Sequence, residues 1–151
     1  MEGCIVIKTL SSLQLSKVTR PISWGEMDLF GHLNNVHYFR YLEDARIAFL
    51  DQLNFFDNKL YCVILKNECE YKCSVEYPDQ LTTIYYVTRV GNTSFCMLYE
   101  VFSEQQDTVV AIGKSVIVIV DPETMQKREI PAQFRDHLLK YMKEFQYEQY
   151  A

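Results

Sequence analysis

Residues 36–53 read VHYFRYLEDARIAFLDQL, and this stretch decides the fold because its apolar residues recur at helical spacing. One stripe of the helix is formed by Phe39, Leu42, Ala45, Phe49 and Leu53. Further apolar side chains widen that stripe until only a narrow polar face remains. A helix on the surface of a protein normally keeps a broader polar face. The pattern therefore predicts a helix that other structure encloses on several sides.

Four runs rich in β-branched and aromatic residues follow this helix and predict strands. The runs are residues 60–77, 81–90, 94–103 and 109–120. Gly91-Asn92 and the polar stretch 104–107 are typical of hairpin connections, so the sequence predicts an antiparallel meander. A shorter run ahead of the helix, residues 17–24, contains Pro21 and predicts an edge strand.

A second helix is predicted to begin at Pro131. Its apolar face consists of Phe134, Leu138, Tyr141 and Phe145. The order strand, helix, strands, helix predicts an α+β fold in which an antiparallel sheet curls around the central helix and a C-terminal helix follows. No repeat or Gly/Ser-rich linker interrupts the chain, so we expect one domain over residues 1–151, with 1–15 as a peripheral N-terminal segment.

Composition and charge exclude several classes of function. A net charge of -5 works against sequence-independent nucleic-acid binding, because no excess of basic residues can neutralise phosphates. The N-terminus lacks the pattern of a secretory signal, and no apolar stretch reaches the length that spans a bilayer. The five cysteines form no CxxC pair and are odd in number. We therefore expect a cytoplasmic protein with no membrane partner, no metal and no cofactor.

The densest cluster of reactive side chains is WGEMDLFGHLNN, residues 24–35, directly before the predicted central helix. A helix N-terminus presents unpaired N–H groups and partial positive charge, which can hold a developing oxyanion. Gly31 allows a ligand to approach the backbone closely. Asp28 can act as a nucleophile or a general base, since an aspartate carboxylate is ionised at neutral pH. A thioester suits such a site, because its thiolate leaves without strong protonation.

A purely structural interpretation of the same residues stays open at this point. Asp28, Asn34 and Asn35 are also the residue types that cap turns and helices, and His32 can be a hydrogen-bonded structural residue. His37, inside the helical pattern, favours a solvated or packing role. The chain contains no G-x-S-x-G elbow, P-loop or G-x-G-x-x-G motif, which disfavours serine hydrolases and nucleotide-binding folds.

Residues 25–46, GEMDLFGHLNNVHYFRYLEDAR, resemble the 4-hydroxybenzoyl-CoA thioesterase-like branch of the hotdog superfamily. That family shows an acid, one residue, Asp, two residues, Gly-His-x-Asn-Asn, then Tyr and an acidic-Ala-Arg ending. Residues 88–102 resemble the family's central hairpin, and residues 116–138 resemble its last strand, turn and closing helix. Together these stretches make the resemblance cover residues 18–140, although only the first is a specific motif.

The resemblance implies a hotdog fold and the hydrolysis of an acyl-CoA or acyl-carrier-protein thioester. Asp28 matches the family's catalytic aspartate. Gly31 and His32 fall where backbone N–H groups bind the thioester carbonyl, and Asn34 and Asn35 match paired amides that orient the substrate or water. The resemblance also implies a homodimer or homotetramer whose acyl pocket lies at a subunit interface.

The chain departs from the family's pattern at two places. Glu26 stands where the first acid is commonly Asp, and it is treated as secondary. Ser74 replaces a proline in the loop before the third strand, which puts that loop's substrate contacts in doubt. Two other functions stay open: a hotdog enoyl-thioester hydratase or dehydratase, and a non-catalytic acyl-CoA-binding module.

Overall fold

The computed structural model describes residues 16–143, with side chains up to residue 142. The predictions made for residues 1–15 and for Phe145 lie outside the described residues. The elements are β1 (Lys17–Pro21), α1 (Tyr38–Gln52), β2 (Tyr61–Tyr71), β3 (Gln80–Val90), β4 (Ser94–Ser103), β5 (Thr108–Val120) and α2 (Ala132–Lys143). Two short 3-10 turns, Trp24–Glu26 and Asn35–His37, precede α1.

The strands form one five-stranded antiparallel sheet in the order β1-β3-β4-β5-β2. β3, β4 and β5 are neighbours, so the hairpins predicted at 91–92 and 104–107 are confirmed. β1 lies at one end of the sheet, where it pairs antiparallel with β3 and places Pro21 opposite Gln80. The predicted edge strand and the predicted α+β class are both confirmed.

The meander prediction is wrong for β2, which lies beside β5 at the far end of the sheet rather than beside β3. β2 also ends at Tyr71, although the run predicted as a strand extends to residue 77. The N–H groups of Lys72 and Cys73 both donate to the carbonyl oxygen of Val110, which marks the end of regular pairing. A tight turn fixes its two strands as neighbours, whereas the longer link 72–79 does not, so β2 takes the distant position.

α1 is enclosed as its sequence predicts. Its most buried side chains, at most 2% exposed, are those of Tyr38, Tyr41, Leu42, Ala45, Phe49 and Leu50. Arg46 is buried as well, and its guanidinium lies 3.3 Å from the Tyr99 hydroxyl oxygen. No helix among residues 16–143 is long and apolar enough to cross a membrane.

The chain groups into two compact units. The described part of the first unit is residues 16–46, 69–85 and 99–113, and that of the second is 47–68, 86–98 and 114–143. In the first unit, a Cβ added to Gly113 would lie 2.4 Å from Leu42 Cδ1, so only glycine lets the helix approach β5 this closely.

The core of the second unit is aromatic. The Phe134 ring of α2 lies 5.2 Å from the Phe55 ring and 5.9 Å from the Phe95 ring, centroid to centroid. Phe49 of α1 makes an edge contact with Tyr141 of α2 at 5.1 Å. Such offset aromatic pairs add stability beyond the area they bury. These contacts confirm the predicted apolar face of α2 up to Tyr141.

Candidate active site

Asp28 is held by the loop that it begins, residues 28–32, here named the Asp28 loop. Asp28 Oδ1 accepts the N–H groups of Phe30 at 2.9 Å and His32 at 3.1 Å. The Asp28 N–H donates to the His32 carbonyl oxygen at 2.7 Å, which closes the loop. An aspartate accepting backbone N–H groups two and four residues later stabilises a tight turn locally. The side chain of Asp28 therefore has a defined orientation within its own loop.

Gly31 is required by the shape of this loop. Its φ of 78° lies in the left-handed region, which a side chain makes costly. Its N–H donates to the Asp28 carbonyl oxygen at 3.1 Å. The N–H groups predicted to bind a thioester carbonyl, those of Gly31 and His32, are thus both engaged inside the loop. Their oxyanion role stays a prediction.

The second carboxylate oxygen of Asp28, Oδ2, has no hydrogen-bond donor within the described part of the chain. The Asp28 side chain is half-buried. One oxygen is consequently fixed by backbone while the other is available to a ligand. The Asp28 carboxylate can therefore cap the turn with one oxygen and take part in a reaction with the other.

His32 connects the Asp28 loop to the segment before β3. It forms an isolated antiparallel bridge with Glu76, and its Nε2 lies 3.6 Å from Glu76 Oε1. Both side chains are partly exposed, so the pair is weak in free energy. Glu76 was not singled out from the sequence, because its contact with His32 spans 44 positions and leaves no local signal.

Asn34 and Asn35 form the start of the short 3-10 turn before α1. Asn34 Oδ1 accepts the Val36 N–H at 3.2 Å, which is a capping contact. The Asn35 carbonyl oxygen accepts the Tyr71 hydroxyl at 3.0 Å, and Asn35 itself is exposed. The structure places both amides directly after the Asp28 loop, as the motif predicts, but gives Asn34 a structural contact as well.

A cluster of polar contacts centres on Glu26, which sequence reasoning treated as secondary. Glu26 Oε2 accepts the Ser23 N–H at 2.8 Å and the Tyr41 hydroxyl at 2.7 Å. Glu26 Oε1 lies 3.3 Å from the Arg20 guanidinium, which also binds Asp44 at 2.5 Å. We name Arg20, Glu26, Tyr41 and Asp44 the Glu26 cluster. It joins β1, the 3-10 turn at 24–26 and α1.

Electrostatics within the Glu26 cluster favour the ionised carboxylate. Burial alone would raise the pKa of Glu26, but the Ser23 N–H, the Tyr41 hydroxyl and the Arg20 guanidinium together hold that pKa below its usual range. Burial, and then the hydrogen bond to Glu26, raises the pKa of Tyr41, so the phenol stays protonated and remains a donor. The apolar helical spacing of Tyr41 gave no hint of this polar partner.

Three apolar side chains beside Asp28 are strongly exposed in the single chain. Trp24 is 77%, Leu29 93% and Phe30 80% exposed. Adjacent large apolar side chains in water are uncommon in a monomer and mark a binding surface more often than scattered ones do. The Asp28 loop thus carries an open carboxylate oxygen and an apolar surface within five residues.

The five-stranded antiparallel sheet packs on the central helix α1. This arrangement defines an α+β hotdog protein. Residues 22–138 match the family described as the thioesterase-like superfamily, and this chain belongs to that superfamily. The matched range includes the Asp28 loop and the Glu26 cluster apart from Arg20.

Individual proteins and solved structures are also similar to this chain. The protein YsmA of Bacillus subtilis is 32% identical over 80 residues, which is 52% of this chain and 54% of YsmA, or about half of each length. The PA5185 protein of Pseudomonas aeruginosa superposes with a TM-score of 0.76 at 26% identity. The matched region is 84% of this chain and 91% of the PA5185 chain. A DHNA-CoA thioesterase of Staphylococcus aureus superposes with a TM-score of 0.74 at 19% identity, covering 85% and 89%, which is a likeness of fold.

Proposed function

We propose that this chain hydrolyses an acyl thioester, carried by coenzyme A or by acyl-carrier protein, with Asp28 as the reacting carboxylate. The observation that carries the proposal is the geometry of Asp28. One oxygen is fixed by two backbone N–H groups and the other accepts no bond from the described residues. Membership of the thioesterase-like superfamily supports the choice of a thioester.

The proposed reaction needs only groups that this chain supplies. Asp28 Oδ2 forms a bond to the acyl carbon, the carbon–sulfur bond breaks, and the thiolate leaves with the electron pair. Water then attacks the resulting anhydride, which releases the free acid and restores the carboxylate. Alternatively, Asp28 removes a proton from water as the water attacks the acyl carbon directly; the carbon–sulfur bond then breaks, and the thiolate takes up the proton from Asp28. Both routes give the same products, one acid and one thiol.

The neighbouring groups have assigned roles in this proposal. The N–H groups of Gly31 and His32 are assigned to the thioester oxygen, each sharing its proton between that oxygen and its acceptor within the loop. The amides of Asn34 and Asn35 orient the substrate or the attacking water. Because the Asn35 side chain is exposed at the end of the motif, it is the more accessible of the two.

We further propose that the working form is a homodimer or homotetramer. β2 is an 11-residue strand at one end of the sheet, with Leu65 66% and Tyr61 47% exposed. A long open edge is a template for pairing with another strand, whereas β1 at the other end is short and contains Pro21. A second copy of the chain meets that edge in a self-complementary way. The exposed Leu29 and Phe30 give it a second contact.

The cytoplasm is the proposed location, because the odd cysteine count favours a reducing compartment.

The test is a panel of acyl-CoA esters and acyl-carrier-protein esters with aromatic, linear and charged acyl groups. Thiol release is followed with a thiol-reactive dye, and the free acid is quantified in parallel. We expect equal amounts of thiol and acid from the wild-type chain and a loss of both in Asp28→Asn. Equal release by Asp28→Asn would refute the role of Asp28. Loss of enoyl absorbance without thiol release would instead indicate a hydratase, and esters that bind but stay intact would indicate a binding module.

A further inference from the structure

Glu26 carries a buried carboxylate and lies two residues before the Asp28 loop. The residue is 8% exposed, and its carboxylate accepts hydrogen bonds from three donors. Its own carbonyl oxygen accepts the Asn34 N–H at 2.9 Å, on the far side of the loop. Between these two residues, Met27 and Leu33 pair as an isolated antiparallel bridge. The residues flanking the Asp28 loop are therefore paired with each other, and Glu26 lies at the base of that pair.

The side chain of Glu26 fastens this base to α1. The Tyr41 hydroxyl donates to Oε2 at 2.7 Å, and Tyr41 lies in the first turn of the helix. Tyr41 is only 2% exposed, so its hydroxyl cannot exchange this acceptor for bulk water without local opening. The contact connects the Asp28 loop to a rigid helix by one buried hydrogen bond to a charged acceptor, which is stronger than a neutral one.

Arg20 makes the charge of Glu26 tolerable. Its guanidinium binds Glu26 and Asp44 and lies 4.6 Å from the centroid of the Tyr41 ring. A buried carboxylate without such partners would carry a large desolvation cost. The same guanidinium packs on the ring whose hydroxyl holds Glu26, so the three side chains fix one another.

We propose that Glu26 and Tyr41 are positioning residues that hold the Asp28 loop at the start of α1 in its reactive geometry. This inference rests on the proposed thioesterase function. Neither side chain touches the reacting atoms. They act through the loop backbone, because Glu26 fixes the residues on either side of the Asp28 loop. A carboxylate misplaced by one ångström loses a large part of its reactivity, so the two groups affect the chemical step rather than substrate binding.

The first experiment removes only the Tyr41 hydroxyl. In Tyr41→Phe of the full chain we expect kcat to fall by about 10-fold to 100-fold with KM changed less than about twofold, measured on the acyl-CoA that the wild type hydrolyses fastest. The matched control is Tyr38→Phe, a tyrosine of the same helix that is also 2% exposed and is not a partner of Glu26 among the described contacts. An equal fall of kcat in both variants, or a fall in neither, would overturn the inference.

The second experiment tests whether the two groups act as a unit. Glu26→Gln keeps an acceptor for Tyr41 but removes the charge that Arg20 pairs with, and we expect kcat to fall about tenfold. In the double variant Tyr41→Phe/Glu26→Gln, the fall should be clearly smaller than the product of the two single falls. A fall equal to that product would show independent effects and contradict the pairing. If Tyr41→Phe does not fold, Glu26→Gln decides by the same kcat and KM criteria.

A third readout does not depend on turnover. The backbone amides of Phe30 and His32 donate to Asp28, so their hydrogen exchange reports on the loop directly. We expect exchange about tenfold faster at both amides in Tyr41→Phe and unchanged exchange in Tyr38→Phe. If the wild type hydrolyses no ester, the proposed function fails while this exchange result still tests the positioning. Unchanged exchange in Tyr41→Phe, with an active wild type, refutes the positioning alone.

Discussion

Two turns of this molecule are closed by similar hydrogen bonds, although the second turn is one residue longer. In the Asp28 loop, Asp28 donates its N–H to His32 and accepts the N–H of Gly31, which has a positive φ. In the turn after β5, here named the Asp121 turn, Asp121 donates its N–H to Gln126 and accepts that of Met125, which also has a positive φ. Each aspartate additionally accepts two backbone N–H groups on Oδ1.

The two turns differ in what surrounds them. The Asp28 loop is fastened to α1 through Glu26 and carries two strongly exposed apolar side chains. The Asp121 turn carries exposed Pro122, Glu123 and Thr124, and its aspartate accepts donors from within the turn alone among the described contacts. The comparison teaches that an aspartate closing a turn is not by itself a catalytic group. The support behind the turn and the surface beside it distinguish the candidate site.

The largest expected difference between the two turns is in turnover. Asp28→Asn retains the Oδ1 acceptor but loses the charge, so thiol release should fall by about 10³-fold or more, since the group that attacks carbon or water is removed. Asp121→Asn makes the same change in the Asp121 turn and should leave thiol release unchanged. Initial rates on one acyl-CoA ester measure both.

Asp28→Ala separates the two roles of this carboxylate. It removes the acceptor as well as the charge, so turnover is lost and the amides of Phe30 and His32 should exchange faster than in Asp28→Asn. If Asp28→Asn alone loosened those amides as much as Asp28→Ala, its loss of turnover would reflect a disordered loop instead of missing chemistry.

The next largest effect concerns self-association. Leu29 and Phe30 are exposed in the single chain, and their burial between two copies would stabilise a dimer. The double change Leu29→Ser/Phe30→Ser should weaken self-association by about 2 kcal/mol or more, roughly 30-fold in Kd. Met125→Ser, which alters the exposed apolar residue of the Asp121 turn, should leave it unchanged. Sedimentation over a concentration series gives both values. Equal weakening of self-association by the two variants would show that the exposed apolar residues of the Asp28 loop have no special role in it.

The features that could be predicted from the sequence are those encoded by local patterns. The helical spacing of residues 36–53 gave α1, and Gly91-Asn92 gave a hairpin, because these signals lie within one element or one turn. The motif around Asp28 placed the candidate residues before α1, but it did not predict the hydrogen bonds that close the loop or the positive φ of Gly31. Contacts between residues that are far apart in the sequence left no such signal. The position of β2 beside β5, and the contact of His32 with Glu76, depend on the whole sheet.

Within the candidate site, Glu26 and Tyr41 show what could not be predicted from the sequence. Tyr41 fits the apolar stripe of α1, so its helical position was predictable while its hydroxyl partner 15 positions away was not. The positive φ of Met125 was equally hidden, since methionine rarely adopts it and the closing hydrogen bonds of the Asp121 turn override that preference.

A further prediction concerns the residue with a positive φ in each turn, Gly31 in the Asp28 loop and Met125 in the Asp121 turn. A Cβ at Gly31 would meet nothing within 4 Å, so Gly31→Ala costs only conformational strain, about 1 to 2 kcal/mol of unfolding free energy. Met125→Gly relieves the corresponding strain and should stabilise by about 0.5 kcal/mol after the entropy of glycine is subtracted. Denaturant titration measures both. The same sign for the two changes would show that the turns are not built alike.

The smallest effect expected is in the pH dependence of stability. The Thr124 and Glu123 N–H groups hold the pKa of Asp121 below its ordinary value. A carboxylate whose folded pKa is lowered stabilises above its unfolded value, near about 4, and loses that contribution as the pH falls through the lowered folded value. The advantage of wild type over Asp121→Asn should therefore be constant from pH 7 to 5 and shrink on further acidification. Because Asp121 is solvent-accessible, added salt should reduce the advantage as well. Thermal unfolding across this range decides the point, and an advantage that grew below pH 4 would mean that the charge does not support the Asp121 turn.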